Sequence, residues 1–427
     1  MNYEKQDSYV NTFTSLGNKN RDKTTATEID PQSVFDKTIL SNIYLSEGLG
    51  TKIVDCVADD ATKKGWTYLQ DEEEKIEQEL DRLMFSFRVS EAWKFSRLYG
   101  GAIIVMITER GKVDKPLLPT NGPIRQFRVY SLARIDMTSA DIVQDENSKY
   151  FEDVEYFKIR KRDGTFLNVH RSRCIVLTGE LIPDYDINNL PIENQYFGLS
   201  VFQRVWQRLS YYGATEQAIA NLMQEVVIGK YTLSNLSKIL SMNNKEAVDK
   251  VLTRLEVMNT AKSVINGVVL GADEKYERDN LNLGGVGEVI DRQQNNLSSV
   301  CDIPVTRLFG RSPAGMNSTG ESDERAYYDK VHRDQERYRY ELNRAIQYVG
   351  LYVYGTSDPS VYGIDEFLSL REMTEKEDAD IGKVNAETDN IYLMNGVLGA
   401  DEVRQQRFPE LEQDITFTPD LPEDDEL

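Results

Sequence analysis

The segment GGVGEVIDRQQNNLSSVCDIPVTRLFGRSPAGMNSTGESDERAYYDKVHRDQERYRYELNRAIQYVG occupies residues 284–350. Its first part has a helical pattern and ends at Pro304, because proline cannot continue a helix. A loop rich in Gly, Ser and Asn follows at residues 310–322, and a long helical pattern rich in Tyr and Arg runs through residues 324–350. Helix, flexible loop and long helix is an unusual order inside an enzyme domain. It suits a protein in which many copies of one loop project into a shared channel.

The long helical pattern combines an apolar stripe with many charges. The stripe is predicted to pack within the chain or against a neighbouring copy, and it comprises Tyr327, Val331, Tyr338, Leu342, Ala345 and Val349. Five arginines along the same helix could bind phosphate, namely Arg325, Arg333, Arg337, Arg339 and Arg344. Acidic residues alternate with them, so ion pairs within the helix and between subunits are the favoured interpretation.

The net charge limits the classes of function. The chain has 427 residues, and 71 Asp and Glu against 50 Lys and Arg give a formal net charge of −21. Proteins that read a DNA sequence usually carry a basic face, because phosphate neutralisation drives their affinity. The charge therefore argues against a repressor or nuclease, whereas an acidic wall would keep DNA from sticking to a conduit.

Targeting and metal signals are weak. There is no run of about 18 apolar residues, and the N-terminus lacks the apolar core of a signal peptide, so we expect the protein to stay in the cytoplasm of the cell that makes it. Cys56, Cys174 and Cys301 form no CxxC pair and are predicted to be small buried hydrophobes. His170 and His332 belong to no triad or HExxH pattern. We therefore predict no catalytic residue, no cofactor and no metal site.

Helical and strand patterns are mixed before residue 284, which indicates an α+β fold. Residues 1–32 are polar and are predicted to form a flexible arm. Two glycines precede a buried strand at residues 102–107. Residues 154–179 are predicted to be a hairpin pair with Asp163-Gly164 in its turn and with Phe157, Ile159, Phe166, Val169 and Ile175 alternating with polar neighbours.

A long helix and a small insertion follow. The helix is predicted over residues 197–227, with Ser200 as its N-cap. Two short apolar pieces, at residues 228–233 and 263–271, flank a helix at about residues 244–258. This pattern indicates a small α/β insertion between two helices.

Five segments occur in an order that resembles one known family. They are LYGGAIIVM (residues 98–106), VHRSRCIVLTG (169–179), FGLSVFQRVW (197–206), DNLNLGGVGEVIDRQQNNLSSVCDIPVTRLFG (279–310) and GVLGADEVRQ (396–405). No single motif is specific, but the ordered combination is similar to the portal proteins of tailed bacteriophages, the head-to-tail connectors. The resemblance covers roughly residues 35–410.

The resemblance implies a portal fold that assembles into a ring. The implied regions are the arm (1–32), an α/β wing (33–199), stem helix 1 (200–226), a small α/β clip (227–282), stem helix 2 (283–308), the tunnel loop (309–322), a long wing helix with its connection (323–364), a helical crown (365–410) and an acidic tail (411–427).

The resemblance also implies a function without enzymatic activity. A ring of about twelve subunits would sit at one capsid vertex of the virion and pass double-stranded DNA during packaging and ejection. The implied partners are the terminase large subunit, which hydrolyses ATP in this family, a head-tail adaptor protein, and the major capsid protein with its scaffold. Assembly would take place in the host cytoplasm.

Candidate DNA-channel residues come from the loop and from stem helix 2. Arg311, Asn317, Ser318 and Thr319 are the tunnel-loop candidates, because small polar side chains can contact phosphates without holding them. Ser318 and Glu321 also fit a capping box, which is the favoured interpretation for that pair. Glu288 and Asp291 could face the bore or form a solvated first turn of the helix, and both alternatives remain open.

Two other functions compete with a portal. A phage-encoded, metal-dependent nuclease would need clustered carboxylates with His or Lys nearby. Asp59-Asp60 could bind a divalent ion, but solvated surface is the default interpretation. The second alternative is an oligomeric scaffold or adaptor protein without a DNA channel. The loop GRSPAGMNSTG lacks the Gly-Lys-Ser/Thr ending of a nucleotide-binding P-loop, which argues against an NTPase.

Overall fold

The computed structural model describes residues 34–138, 141–183, 190–224, 227–232, 249–250, 252–254, 256, 275–280, 284–310, 321–356, 358–371, 375–397 and 399–407. The chain divides into two compact units, Met1–Leu368 and Ser369–Leu427. Helices and sheets occur together, which confirms the predicted α+β class. Among the described residues, no helix combines the length and the apolar character needed to cross a membrane.

The elements follow one another along the chain. Helices described in the first unit are α1 (Lys37–Ser46), α2 (Gly48–Lys63), α3 (Lys75–Arg82), α4 (Phe85–Tyr99), α5 (Ile192–Phe197), α6 (Phe202–Gln224), α7 (Val286–Cys301), α8 (Val305–Phe309) and α9 (Glu321–Tyr354). The strands are β1 (Trp66–Tyr68), β2 (Gly101–Thr108), β3 (Ile124–Ser131), β4 (Ile135–Asp136), β5 (Tyr156–Arg160), β6 (Phe166–His170), β7 (Cys174–Thr178), β8 (Val227–Thr232), β9 (Lys275–Asn280) and β10 (Ile364–Phe367). The second unit contains α10 (Glu375–Met394) and α11 (Ala400–Arg407).

Two three-stranded antiparallel sheets share one hydrophobic core. Their strand orders are β3-β2-β7 and β4-β5-β6. In the first sheet, Ile104 of β2 lies opposite Val129 on one side and Ile175 on the other. Residues of both sheets meet in a single apolar cluster, which includes Ile103 of β2 and Phe157 of β5. Strand β2 is the central strand of its sheet, and α4 packs against it. Because its side chains are covered in this way, β2 is a nearly continuous apolar run.

The two glycines before β2 permit a close approach of neighbouring segments. Gly100 ends α4 in the left-handed region with a φ of 90°. A Cβ added to Gly101 would lie 2.5 Å from the ring of Phe197, which is itself 1% exposed. Side chains at these two positions would therefore push the start of β2 away from α5.

Gly101→Ala is expected to destabilise the protein by about 1–3 kcal/mol, because the buried Phe197 ring has no space to move into. Urea denaturation of the purified protein measures the change. Gly213→Ala is the matched control, since no atom lies within 4 Å of an added Cβ in the middle of α6. Removing a helical glycine there should stabilise by about 0.5–1 kcal/mol. Equal unfolding midpoints for Gly101→Ala and the wild type would contradict the tight packing.

The segment 154–179 forms three strands instead of the predicted hairpin pair. The β5–β6 hairpin and its turn are confirmed: Gly164 has a φ of 82°, and Lys161 N–H donates to Thr165 O at 2.8 Å. Strand β7 leaves this hairpin and pairs with β2 in the other sheet. The expected alternation is wrong for Phe166, which is 48% exposed and lies opposite the exposed Arg160 beside the turn of the hairpin.

The long helix α9 is the main helical support of the first unit. Its predicted apolar stripe is confirmed, because all six residues are buried: Tyr327, Val331, Tyr338, Leu342, Ala345 and Val349. Intrahelical ion pairs also form as expected, between Arg339 and Glu336 at 2.5 Å and between Arg344 and Glu341 at 3.1 Å. The helix continues to Tyr354, beyond the Gly350 at which the sequence pattern ends.

The end of the first unit lies slightly beyond the predicted crown boundary. Strand β10 pairs with β1, so that Phe367 lies opposite Trp66. The predicted start of the crown, residue 365, falls inside this strand, and the compact unit ends at Leu368. In the second unit, Arg407 of α11 forms an ion pair with Asp389 of α10 at 2.9 Å. The acidic tail (411–427) lies outside the described residues.

The ends of the predicted clip form an antiparallel hairpin. Val227 lies opposite Asn280, and Thr232 lies opposite Lys275. The first strand matches the apolar piece predicted at residues 228–233. The second strand has the sequence KYERDN and was not predicted, because it has no apolar alternation. The apolar piece at residues 263–271 lies outside the described residues.

Candidate functional site

Helices α6 and α7 pack against each other and carry the β8–β9 hairpin at one end. Tyr212 of α6 is buried between them and accepts a hydrogen bond from Gln294 Nε2 of α7 at 3.4 Å. The Tyr212 ring also contacts Phe309 of α8, with ring centroids 5.5 Å apart. Ser200 caps the first helix as predicted, since Phe202 N–H donates to Ser200 Oγ at 3.2 Å, but the helix begins at Phe202 and not at residue 197, because Phe197 ends α5. The helix pair is thus joined to the short helix that precedes residues 311–320.

A sharp turn separates α7 from α8. Asp302 adopts a left-handed conformation with a φ of 51°, and its N–H donates to Ser298 O. Asp302 also forms an ion pair with Lys330 of α9 at 3.3 Å. Pro304 then occupies the N-cap of α8, which ends at Gly310 with a φ of 68°. Helix α7 therefore ends just before the predicted stop at Pro304.

One buried carboxylate connects the two helices that flank residues 311–320. Asp60 of α2 is 7% exposed. It accepts a hydrogen bond from Arg307 of α8 at 2.9 Å and another from the Tyr327 hydroxyl of α9 at 2.7 Å. We call Asp60, Arg307 and Tyr327 the Asp60 anchor. Because Arg307 precedes and Tyr327 follows residues 311–320, the anchor fixes both ends of that segment to the same helix of the sheet-containing region.

Neighbouring contacts reinforce the anchor. Lys52 Nζ of α2 donates to Leu308 O at 3.1 Å, and Gln335 of α9 donates to Ala61 O at 2.7 Å. Cys56 Sγ lies 3.5 Å from the Tyr327 hydroxyl. Helix α2 therefore holds α8 and α9 through backbone carbonyls as well as through Asp60.

The electrostatics of the anchor favour the charged pair. Burial raises the pKa of the Tyr327 hydroxyl well above its ordinary value, and the nearby Cys56 and Asp60 raise it further, so this hydroxyl remains a proton donor. Burial opposes the charge on Arg307, but the attraction of Asp60 leaves its pKa raised. Burial also raises the pKa of Cys56. The thiol therefore stays protonated beside the carboxylate.

The predicted channel residues are divided between described and undescribed parts of the chain. The tunnel-loop candidates Arg311, Asn317, Ser318 and Thr319 lie outside the described residues, and so does half of the predicted capping box. Glu288 is exposed in the first turn of α7, where a negative charge complements the helix dipole. Asp291, one turn further, is half-buried. Their place relative to a bore stays a prediction.

The Asp60 anchor was missed by sequence reasoning, which treated Asp59-Asp60 as solvated surface. That interpretation fits Asp59, whose side chain is 55% exposed, but it is wrong for Asp60. The available signal was spacing. Asp60 follows the buried Val57 by three residues, so it lies on the apolar face of α2.

The cysteines and possible metal ligands complete the description of the site region. Cys174 and Cys301 are buried as predicted, and burial raises the pKa of each thiol to about 12. Cys56 is half-buried. In the part of the chain that the structure describes, no group of three or more His, Cys, Asp or Glu is placed to hold a metal ion.

An open cleft of about 740 Å³ lies between α7 and α9, beside the anchor. Its lining carries both signs of charge: Asp302, Asp323 and Asp334 against Lys330 and Arg333. Burial raises the pKa of Asp334, although Lys330 and Arg97 act in the opposite direction. A groove that grips DNA phosphates would be predominantly basic. This cleft is therefore better suited to a protein surface of mixed charge.

Solved structures with a similar fold come from gene transfer agent particles. One is a chain from the virion of the native gene transfer agent, with a TM-score of 0.52, 12% identity, and coverage of 88% of this chain and 94% of that chain. Another comes from the neck of the native particle computed with C12 symmetry, with a TM-score of 0.51, 12% identity, and coverage of 87% and 92%. At this level of identity, the similarity shows the fold.

Curated relatives are more similar in sequence. A protein named Anti-CBASS protein Acb1 from Caulobacter sp. (strain RHG1) is 28% identical over 367 residues, which cover 82% of this chain and 57% of that protein. A protein of the same name from Sphingomonas paeninsulae is 26% identical over 400 residues, with coverage of 90% and 62%. This chain thus spans less than two thirds of the length of either relative.

The family comparison extends over most of the described fold. A family model described as "Phage portal protein" matches residues 39–391, from α1 through the sheets, the α6–α7 pair and α9 into α10. The resemblance found in the five sequence segments is thereby confirmed, and the chain belongs to the phage portal protein family.

Proposed function

We propose that this chain is the subunit of a portal ring that occupies one capsid vertex and forms the channel through which DNA is packaged, retained and ejected. The observation that carries the proposal is the family match over residues 39–391. The neck structure of similar fold is described with C12 symmetry, which supports a ring of twelve subunits for this chain as well. The ring belongs to the virion and assembles in the host cytoplasm.

In this proposal, the regions of the subunit have distinct roles. The α/β wing (33–199) and the long helix α9 form the body of each subunit. The α6–α7 pair is the stem, with Glu288 and Asp291 on its bore side. The β8–β9 hairpin opens the clip, which docks the terminase large subunit during packaging and a head-tail adaptor afterwards. The outer surface meets the major capsid protein and its scaffold, and residues 369–410 form the crown.

The tunnel loop contacts DNA without sequence specificity. Its candidate contacts are Arg311, Asn317, Ser318 and Thr319. The Asp60 anchor supports this role, because it holds the helices on both sides of the loop against the body of the subunit. Mechanical load on the loop would be passed to α2 through a partly buried ion pair. With small polar side chains and one arginine, the loop would contact phosphates loosely enough for DNA to slide.

The subunit acts as a channel component and not as an enzyme in this proposal. The name Anti-CBASS protein Acb1 belongs to relatives of which this chain spans 57% and 62%. We therefore assign no activity from that name to this chain. Divalent-metal-dependent cleavage of plasmid DNA is the assay that would reveal a nuclease instead.

Deletion of residues 313–319 is expected to abolish retention of packaged DNA in particles, because the contacts that oppose back-sliding are lost. Particle DNA content measured after nuclease treatment reports retention. The matched control replaces the same seven residues with Gly and Ser, which keeps the loop length and removes the Asn317 and Thr319 side chains, while Arg311 is retained in both variants. Native mass spectrometry of both variants first establishes that they still form rings.

Each outcome bears on a separate part of the proposal. Loss of retention in the deletion, with partial loss in the Gly/Ser control, would support the loop role. Normal packaging and retention in both variants would overturn it. If the wild type formed no closed ring with an opening wide enough for duplex DNA, an oligomeric adaptor without a channel would replace the portal proposal.

A further inference from the structure

A small apolar groove lies on the surface of the N-terminal helices, which precede all the residues assigned to the stem and the tunnel loop. Helices α1, α2 and α4 line it, and its volume is about 260 Å³. Val54 and Leu98 form a buried floor, whereas Phe87 lines the groove and is 57% exposed. A large aromatic side chain on the surface beside an apolar depression is typical of a site that receives an apolar anchor residue.

The polar margin of the groove has a surplus of negative charge. Lys94 lies 2.8 Å from Asp59 and 3.7 Å from Asp55, so two carboxylates share one ammonium group. Burial raises the pKa of Asp55, with Lys94 acting in the opposite direction. Additional positive charge would therefore be favourable at this margin.

The N-terminal arm has a sequence that fits both features. Tyr9, Phe13 and Leu16 are spaced as the anchors that one face of a helix presents to a groove. The segment NKNRDK at residues 18–23 follows directly and supplies three cations against one anion. Apolar anchors followed by basic residues match an apolar groove with an acidic margin.

The segment that connects the apolar residues of the arm to α1 is long enough for the arm to reach the groove of its own chain. Tyr44, which lines the groove, lies seven residues beyond Lys37, the first residue of α1, and thus about 10 Å along the helix. Residues 17–36 connect the apolar anchors to α1, and twenty residues can span up to about 65 Å when extended. A short tether of this kind gives an effective concentration of roughly millimolar, so even a weak contact would be populated.

We propose that the groove between α1, α2 and α4 binds the N-terminal arm of the same chain, with Phe13 seated beside Phe87 and the basic segment 18–23 against Asp55 and Asp59. The arm thereby covers an apolar patch of the wing. This contact is independent of the tunnel loop and of DNA.

Disulfide trapping in the full-length assembled protein tests the proposal. The variant Phe13→Cys with Phe87→Cys is compared with Ser15→Cys with Phe87→Cys, because a helical arm would point residue 15 away from the groove. Single-cysteine variants control for the three native cysteines. We expect the Phe13/Phe87 pair to form a disulfide within one chain several-fold faster than the Ser15/Phe87 pair.

Hydrogen exchange gives a second readout that does not depend on introduced cysteines. Residues 9–16 should exchange several-fold more slowly than residues 24–29 of the wild type, and Phe13→Asp should remove that protection without unfolding the wing. Equal trapping rates for the two cysteine pairs, or no protection of residues 9–16, would overturn the proposal. Covalent dimers as the trapped product would also overturn it, since the occupant would then be the arm of a second copy.

Discussion

Asp60→Ala is expected to destabilise the protein by about 3 kcal/mol. Tyr327 would lose the acceptor of its buried hydroxyl, and Arg307 would keep a charge without its partner. The Arg307 side chain is 33% exposed, so water would compensate part of the loss. Urea denaturation measures the stability change, and limited proteolysis within residues 311–320 measures how firmly the two flanking helices are held.

Three variants separate the anchor from general effects of charge on α2. Asp59→Ala removes a neighbouring carboxylate whose side chain is 55% exposed, and its cost should be at most about 1 kcal/mol. Asp60→Asn keeps the size and an acceptor for Tyr327 but loses the ion pair, so an intermediate effect is expected. Arg307→Met removes the opposite charge, and its effect should not add to that of Asp60→Ala, because both variants break the same contact. Additive effects would show that Asp60 and Arg307 stabilise the fold separately.

Features that depend on residues close together in the sequence could be predicted, whereas features that depend on pairing between distant residues could not. The stripe of α9 was predictable because helical periodicity places Tyr327, Val331 and Leu342 on one face, and a single buried face is enough to fix that helix. The pairing of β7 with β2 was not predictable from the segment itself. In the sequence, two neighbouring runs of alternating residues look like the two strands of one hairpin. In the fold, β7 pairs instead with β2, which lies about 70 residues earlier in the chain.

The candidate site shows the same limit more strongly. Arg307 and Asp60 are separated by 247 residues, and no local pattern indicates that they meet. The spacing of Asp60 within α2 pointed to a buried position, but a lone buried carboxylate has no signature that names its partner. Strand β9 was missed for another reason: KYERDN pairs through its backbone with β8 and needs no apolar face to do so. The tunnel-loop residues remain predictions, since their role depends on copies arranged around a channel.

Glu341→Ala is expected to have the largest effect on stability, about 3–5 kcal/mol at neutral pH, because Glu341 is a mostly buried acceptor, 18% exposed, that is shared by three groups. It accepts from Arg171 at 2.9 Å, from Arg344 at 3.1 Å and from the Val176 N–H at 3.0 Å. The Arg171 side chain is 11% exposed, and of its two carboxylate partners only Asp153, at 3.1 Å, would remain. The bond to Val176 also attaches α9 to β7, and its loss would loosen the helix on the sheet.

The pH dependence of the Glu341→Ala effect tests the charge directly. Burial raises the pKa of Glu341, but Arg171 and Arg344 outweigh it, and the folded-state pKa lies below the ordinary value of 4.5. A lowered folded pKa means that the stabilisation is fully present above the unfolded value and is lost as the pH falls through the folded value. The difference between wild type and Glu341→Ala should therefore be constant near neutral pH and shrink below about pH 4.5. Glu336→Ala is the matched control on the same helix, since its carboxylate is 40% exposed and pairs with Arg339 at the surface, and it should cost at most about 1 kcal/mol. A loss for Glu341→Ala no larger than that of Glu336→Ala, or one that stays constant at acidic pH, would show that the buried carboxylate contributes through its shape and not through its charge.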